Sequence, residues 1–138
     1  MDTERVKQFI GEKDRLVSMY RMNILELKPG CSSVAMTVKD EHLNAAGCCH
    51  GGVIFSLADV AFALACNSHG TLAVALEMSI SFLRAVPPGE TITACCTERH
   101  RGRSTASYTI EVTDGTHNLV ALLKTTAFRK GTPLFHNS

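Results

Sequence analysis

The sequence predicts an α+β fold in which a strongly curved antiparallel sheet wraps one buried helix. Residues 53–66 form an apolar run of about four helical turns, interrupted only by Ser56 and Asp59. Downstream, four segments change to a period of two, the pattern of strands. The links between them are short, which favours antiparallel neighbours. A helix without a broad polar face needs protein on nearly every side, and a curved sheet supplies that cover.

Each element follows from its own pattern. Val6, Phe9, Ile10, Lys13, Leu16, Val17 and Tyr20 recur at three-to-four spacing, with Asp2 or Thr3 as a cap, so residues 1–20 read as an amphipathic first helix. Residues 21–27 and 33–38 flank Pro29 and Gly30 and read as a β-hairpin. Residues 40–49 lack periodicity and read as a loop. The apolar helix starts at Gly51 or Gly52 and stops at Asn67 with Gly70, giving about 16 residues and roughly 24 Å. Strands are then expected over 71–83, 90–99, 104–113 and 118–128, the clearest being Tyr108, Ile110 and Val112 alternating with Ser107, Thr109 and Glu111. Pro87, Pro88 and Gly89, then Gly102, then Asp114 and Gly115 mark the turns. The chain is expected to be one domain over 1–138, with a frayed tail over 131–138.

Composition excludes several classes. With 45% hydrophobic and 20% charged residues in 138, the chain suits a packed domain, not a disordered one. A formal net charge of +1 offers no overall field for a nucleic-acid backbone or an anionic membrane, so neither is expected as a partner. The run 53–66 is shorter than the roughly 20 residues a bilayer span needs. The charged N-terminus lacks a secretory pattern, and Cys48/Cys49 and Cys95/Cys96 are adjacent pairs poorly placed for a disulfide framework. Reduced thiols and a cytoplasmic location are expected.

Chemistry concentrates around the apolar helix. Ser56 and Asp59 are three residues apart and therefore share a side. A carboxylate buried without a partner costs several kcal/mol or shifts its pKa, so Asp59 is either satisfied structurally or functional. His50, Gly51 and Gly52 precede it at the helix N-terminus, where unpaired N–H groups and the dipole can hold an oxyanion and small residues let a carbonyl approach. The bland reading of Gly51 and Gly52 is a tight turn. Gly51 and Asp59 would lie roughly 12 Å apart along one helix, too far to touch one carbon; a second subunit could bring its Asp59 to this Gly51.

These residues carry a resemblance. The stretch HLNAAGCCHGGVIFSLADVAFALACNSHG, from His42 to Gly70, closely resembles the hotdog-fold acyl-CoA thioesterases of the phenylacetic-acid-degradation (PaaI-like) family. The likeness continues through ISFLRAVPPGETITA and GRSTASYTIEV, and Asn44, His50 and Asp59 fit the family spacing. It implies a homodimer with sheets joined edge to edge and two shared active sites, assembling further to a homotetramer. By position, the Gly51 N–H would polarise the thioester carbonyl, the partner's Asp59 would act as general base or nucleophile, Asn44 would place water or carbonyl, and His50 would support the loop. Ala75 stands where some relatives place a Ser or Thr, leaving Ser56 and Ser79 as candidate substitutes.

The remaining expectations concern binding. Gly52, Ser56 and Phe82 are candidate substrate contacts, and Phe55, Phe62 and Leu76 are further candidates for the acyl pocket. Coenzyme A phosphates call for cations, and Arg84, Arg103 and Ser104 are the named candidates, with Arg99, Arg101 and Thr105 nearby. His42, His69 and His100 are expected at the surface. No metal or redox cofactor is expected, because no second ligand pair accompanies Cys48, Cys49 and His50 at zinc-like spacing. The implied reaction is hydrolysis of a small or medium, possibly aryl-containing, acyl-CoA. An enoyl-CoA hydratase and an acyl-CoA-binding sensor without turnover are the alternatives.

Overall fold

The computed structural model describes residues 2–135. Two short helices open the chain, α1 over Thr3–Lys13 and α2 over Arg15–Met19. A hairpin follows, β1 over Asn23–Lys28 and β2 over Cys31–Thr37, then α3 over Gly51–Asn67. Four strands complete the fold: β3 Thr71–Phe82, β4 Thr91–Arg101, β5 Thr105–Thr113 and β6 Leu119–Pro133. They form a 6-stranded sheet in the order β1-β2-β4-β5-β6-β3, with every neighbouring pair antiparallel.

The α3 helix lies on the inner face of this sheet. Leu57, Ala58, Ala61, Phe62, Leu64 and Ala65 are essentially sealed by it, against Ile92, Ala94, Ile110 and Leu123 from the strands. Burying a side chain of the Leu or Phe class is worth roughly 1.5–3 kcal/mol, so this contact dominates the fold. One stripe of α3 escapes the cover: Gly52, Phe55, Ser56, Asp59 and Ala63, at three-to-four spacing, are only partly buried or exposed. The Asn67 amide fastens the helix end to β3, accepting from Ala73 N–H at 2.9 Å and donating to the Ala63 and Ala73 carbonyls at 2.9 and 3.2 Å.

Three boundaries differ from expectation, each for a local reason. The first helix is broken at Asp14, whose extended backbone closes α1 through its own N–H to the Ile10 carbonyl while its side chain accepts from Leu16 N–H to start α2. An Asp competes with helical bonding and favours a cap, which overrides the continuous apolar spacing. The 40–49 loop contains a 3-10 turn over Asp40–His42 and a bridge between Leu43 and Cys49. The tail does not fray at Lys130: β6 continues to Pro133, Leu134 N–H donates to the Gly70 carbonyl at 2.7 Å, and the Phe135 ring meets Phe9 edge-on at 5.3 Å. Positions 136–138 of that expected tail lie outside the described residues.

Candidate active site

The N-terminus of α3 is held open by its backbone. His50 donates its N–H to the His42 carbonyl at 2.9 Å, and its own carbonyl accepts from Val53 and Ile54 at 3.0 and 3.2 Å. That fixes the entry angle of the helix. Among the described residues, nothing accepts from the N–H groups of Gly51 or Gly52, which are the first two of the helix and have no intrahelical partner. The His50 side chain is exposed and makes no cap, so its contribution here is made through the main chain.

Asn44 is anchored in the preceding loop by one end. Its Oδ1 accepts from the N–H groups of Ala46 and Cys48 at 3.0 and 3.3 Å, leaving the Nδ2 hydrogens as the free end. With Gly51, Phe82 and Arg84 it lines a cleft of about 430 Å³. The Phe82 ring lies directly over Gly51: a Cβ built on that glycine would fall 2.9 Å from Phe82 Cζ. Among the described residues, nothing stands within 4 Å of a Cβ on Gly52, whose approach is open. A larger, more open hollow of about 580 Å³ between α1 and β1 contains none of these groups.

Asp59 is not in the cleft. It sits two turns along α3 on the uncovered stripe, half-buried, and among the described residues no hydrogen bond or ion pair engages its carboxylate. Burial first, and the Asp14 carboxylate second, hold its carboxyl above the usual aspartate range. Gly51 and Asp59 of one chain are separated by about 12 Å of helix. Ser56 donates its hydroxyl to the Gly52 carbonyl at 2.8 Å, which commits its proton. In the cleft wall, burial and then Cys48 push the Cys49 thiol up to about 11, so it is protonated at neutral pH and a poor nucleophile.

The basic candidates divide between two ends of the sheet. Arg84 lines the cleft and pairs loosely with Asp114 at 3.5 Å. Arg103 and Ser104 are exposed in the β4–β5 turn. Phe82 pairs with Ala121 and that with Val112, whereas Thr105 pairs with Phe128, seven residues further along β5 and β6. The turn is therefore roughly 24 Å from the cleft of the same chain. Of the acyl-pocket candidates, Phe62 is 1% exposed and packs edge-on against Tyr108, so it belongs to the core. Phe82 at 51% and Leu76 at 62% remain open, and Phe55 is half-buried.

Two histidines depart from the expected surface role, while His100 is exposed as expected. His42 is 2% exposed: its Nδ1 accepts from Lys39 N–H at 3.0 Å, its ring meets Tyr20 edge-on, and among the described residues its buried Nε2 has no partner. His69 lies just beyond α3 in a chain of polar contacts that sequence reasoning missed. Its Nε2 meets Glu98 Oε2 at 2.8 Å, Tyr108 donates its hydroxyl to the same oxygen at 2.8 Å, and Arg101 donates to His69 Nδ1. Burial opposes ionisation of Glu98, but the hydrogen bonds from His69 and Tyr108 and the Arg101 charge outweigh it and lower its pKa. The signal was present: Glu98 follows Ala94 and Cys96 at period two, so it is an acid on the inner face, as anomalous as Asp59. Among the described residues, no three His, Cys, Asp or Glu side chains are grouped to hold a metal ion. No helix among them is long and apolar enough to cross a membrane.

Comparison with known proteins supplies independent bearings. Residues 46–121 match the thioesterase superfamily. A putative esterase of Archaeoglobus fulgidus is 50% identical over 126 residues, covering 91% of this chain and 82% of that one. The acyl-coenzyme A thioesterase PaaI of Escherichia coli is 42% identical over 120 residues, covering 87% and 86%. The solved structure of E. coli PaaI, from the phenylacetic acid degradation operon, superposes with a TM-score of 0.92 at 38% identity, covering 95% of each chain.

Proposed function

The chain belongs to the thioesterase superfamily, and from that membership we propose that it hydrolyses small or medium acyl-CoA esters, releasing free acid and CoA at sites shared by two subunits. It is a thioester hydrolase of the hotdog fold, an α+β architecture with a long helix wrapped by the antiparallel sheet. The observation that carries the shared site is the separation of its parts. Among the described residues, Gly51 presents a free N–H in a cleft without a carboxylate, and Asp59 presents an unpartnered carboxylate outside that cleft. A second copy related by a two-fold axis brings each to the other.

The β3 edge supports that assembly. Among the described residues no strand pairs with its outer side, and Val74 and Leu76 on this strand are exposed. Pairing β3 with β3 joins two sheets edge to edge in a homodimer, and two dimers make the homotetramer. The free cysteines support a reducing, cytoplasmic setting.

In the reaction, the thioester oxygen accepts from Gly51 N–H, and Asn44 Nδ2 donates to the attacking water or to the same oxygen. The partner's Asp59 takes a proton from water as its oxygen bonds to the carbonyl carbon, and negative charge collects on the oxygen facing Gly51. The C–S bond then breaks and the proton passes to the CoA sulfur. A direct attack by Asp59, through a mixed anhydride that water then opens, uses the same placement. A raised Asp59 pKa serves the general-base route, since a stronger base removes the proton more readily. Neither route calls for a metal or redox cofactor. Phe82, Leu76 and Phe55 shape the acyl pocket, Gly52 and Ser56 border it, and Arg84, Arg103 and Ser104 meet CoA phosphates.

The deciding experiment is thiol release from a panel of acyl-CoAs by the wild type and by Asp59→Asn, with fold and oligomeric state verified. The wild type should turn over at least one ester and Asp59→Asn should lose 10³-fold or more, roughly 4 kcal/mol. Near wild-type turnover by Asp59→Asn would refute the mechanism. Tight acyl-CoA binding without turnover by either protein would favour a sensor, and hydration of an enoyl-CoA without thiol release a hydratase.

A further inference from the structure

His69, Glu98 and Tyr108 connect the end of α3, the inner face of β4 and the middle of β5 through one carboxylate oxygen. Arginine only donates, so His69 Nδ1 must accept from Arg101 and the imidazole proton resides on Nε2, pointing at Glu98. The order Tyr108 to Glu98 to His69 to Arg101 therefore runs from a fully buried hydroxyl to an exposed guanidinium. Each member constrains the next. An exposed arginine is normally a mobile side chain whose ordering costs entropy, and this one is tethered through a partly buried imidazole.

The surroundings indicate what a tethered guanidinium could serve. Arg99, His100, Arg101 and Arg103 crowd one end of the sheet, and Glu98, the acid among them, is already engaged by His69 and Tyr108. Asp59 lies about 12 Å along the axis of α3 from its end at Asn67, and His69 follows two residues beyond, roughly 15 Å from Asp59 in all. A pantetheine arm has the length of four to five extended peptide residues, roughly 15 Å as well. If Asp59 reaches the partner's thioester, the subunit that lends Asp59 also places Arg101 at the far end of that arm.

We propose that His69 and Glu98 are positioning residues that hold Arg101 ready for the phosphates of the CoA nucleotide, in the site completed by the other subunit. The inference rests on the acyl-CoA reading given above. It assigns His69 a role through Arg101, distinct from contact with the reacting atoms, and it makes the recognition of the nucleotide separable from the chemistry at Gly51. A purely structural tie between α3 and the sheet would affect every substrate alike.

The test compares one acyl group carried on CoA and on pantetheine, which lacks the phosphates. The readout is the ratio of kcat/KM for the two esters in the full-length oligomer. Arg101→Ala should lower this ratio roughly tenfold, the scale of one charge-assisted hydrogen bond. His69→Ala should lower it in the same direction, and the double variant should be no worse than Arg101→Ala, because both act on one contact. His69→Gln, whose amide can donate to Glu98 and accept from Arg101, should recover most of the ratio; it also serves if His69→Ala fails to fold. An unchanged ratio in Arg101→Ala overturns the inference, as do multiplying effects in the double variant. A wild type that cleaves neither ester overturns the acyl-CoA reading itself and this inference with it.

Discussion

Replacing Gly51 by alanine separates stability from catalysis at a single methyl group. Gly51 has no positive φ, so its backbone accepts alanine. The added Cβ would stand 2.9, 3.2 and 3.4 Å from three atoms of the Phe82 ring, against an ordinary carbon contact of about 3.5–4.0 Å. The ring must retreat by roughly 0.6 Å, and because Phe82 is half exposed it has room to do so. Stability should therefore change little. The methyl and the displaced ring nevertheless occupy the approach to the N–H, where an oxyanion must come within about 2.7–3.1 Å. Forfeiting one such donor lowers the rate by about 10²–10³. Steady-state thiol release with a melting curve gives both quantities. Gly52→Ala is the comparison: its Cβ meets nothing within 4 Å, and its loss should stay within about tenfold, below the threshold set by donor loss. A Gly51→Ala enzyme with the wild-type rate would remove the oxyanion assignment.

Two further outcomes follow from the same geometry. The acid limb of kcat/KM should lie above the usual aspartate range near pH 3.9, because a base with a raised pKa must lose its proton at higher pH to act. The same shift means the folded state holds that proton more tightly than the unfolded chain, so the Asp59 penalty is absent below the unfolded pKa and appears as pH rises through the folded one. Asp59→Asn should thus melt higher than wild type at pH 7 and show no such gain near pH 3; a lower Tm at pH 7 would indicate an unseen partner for the carboxylate. At the β3 edge, Leu76→Glu should weaken subunit association and make specific activity concentration-dependent, checked by light scattering and by assay over a dilution series.

Much of this was legible in the residues because it depends on local pattern. The α3 helix announces itself through an apolar run with Asp59 as its anomaly, and Gly51 matters because a helix start leaves its N–H unpaired. What escaped was set by contacts between distant segments. Phe62 and Phe82 look alike in sequence, yet one packs on Tyr108 and the other opens into the cleft. His42 reads as a surface residue because nothing nearby in sequence reveals that Tyr20 closes over it. His69 and Glu98 stand 29 positions apart and meet only because the end of α3 lies on β4. The break at Asp14 was readable as a capping residue, but apolar spacing on both sides concealed it.

The central claim is that Asp59 serves the Gly51 of another subunit, and complementation between two inactive variants tests it most directly. Gly51→Ala and Asp59→Asn are each purified, mixed in equal amounts, and allowed to exchange subunits. A mixed dimer carries one site with both groups intact and one with neither. Random pairing makes half the dimers mixed, so recovered activity should approach about a quarter of wild type. Activity that stays at the level of the separate variants, with exchange verified by mass, would place Gly51 and Asp59 in the same chain's site and contradict the account.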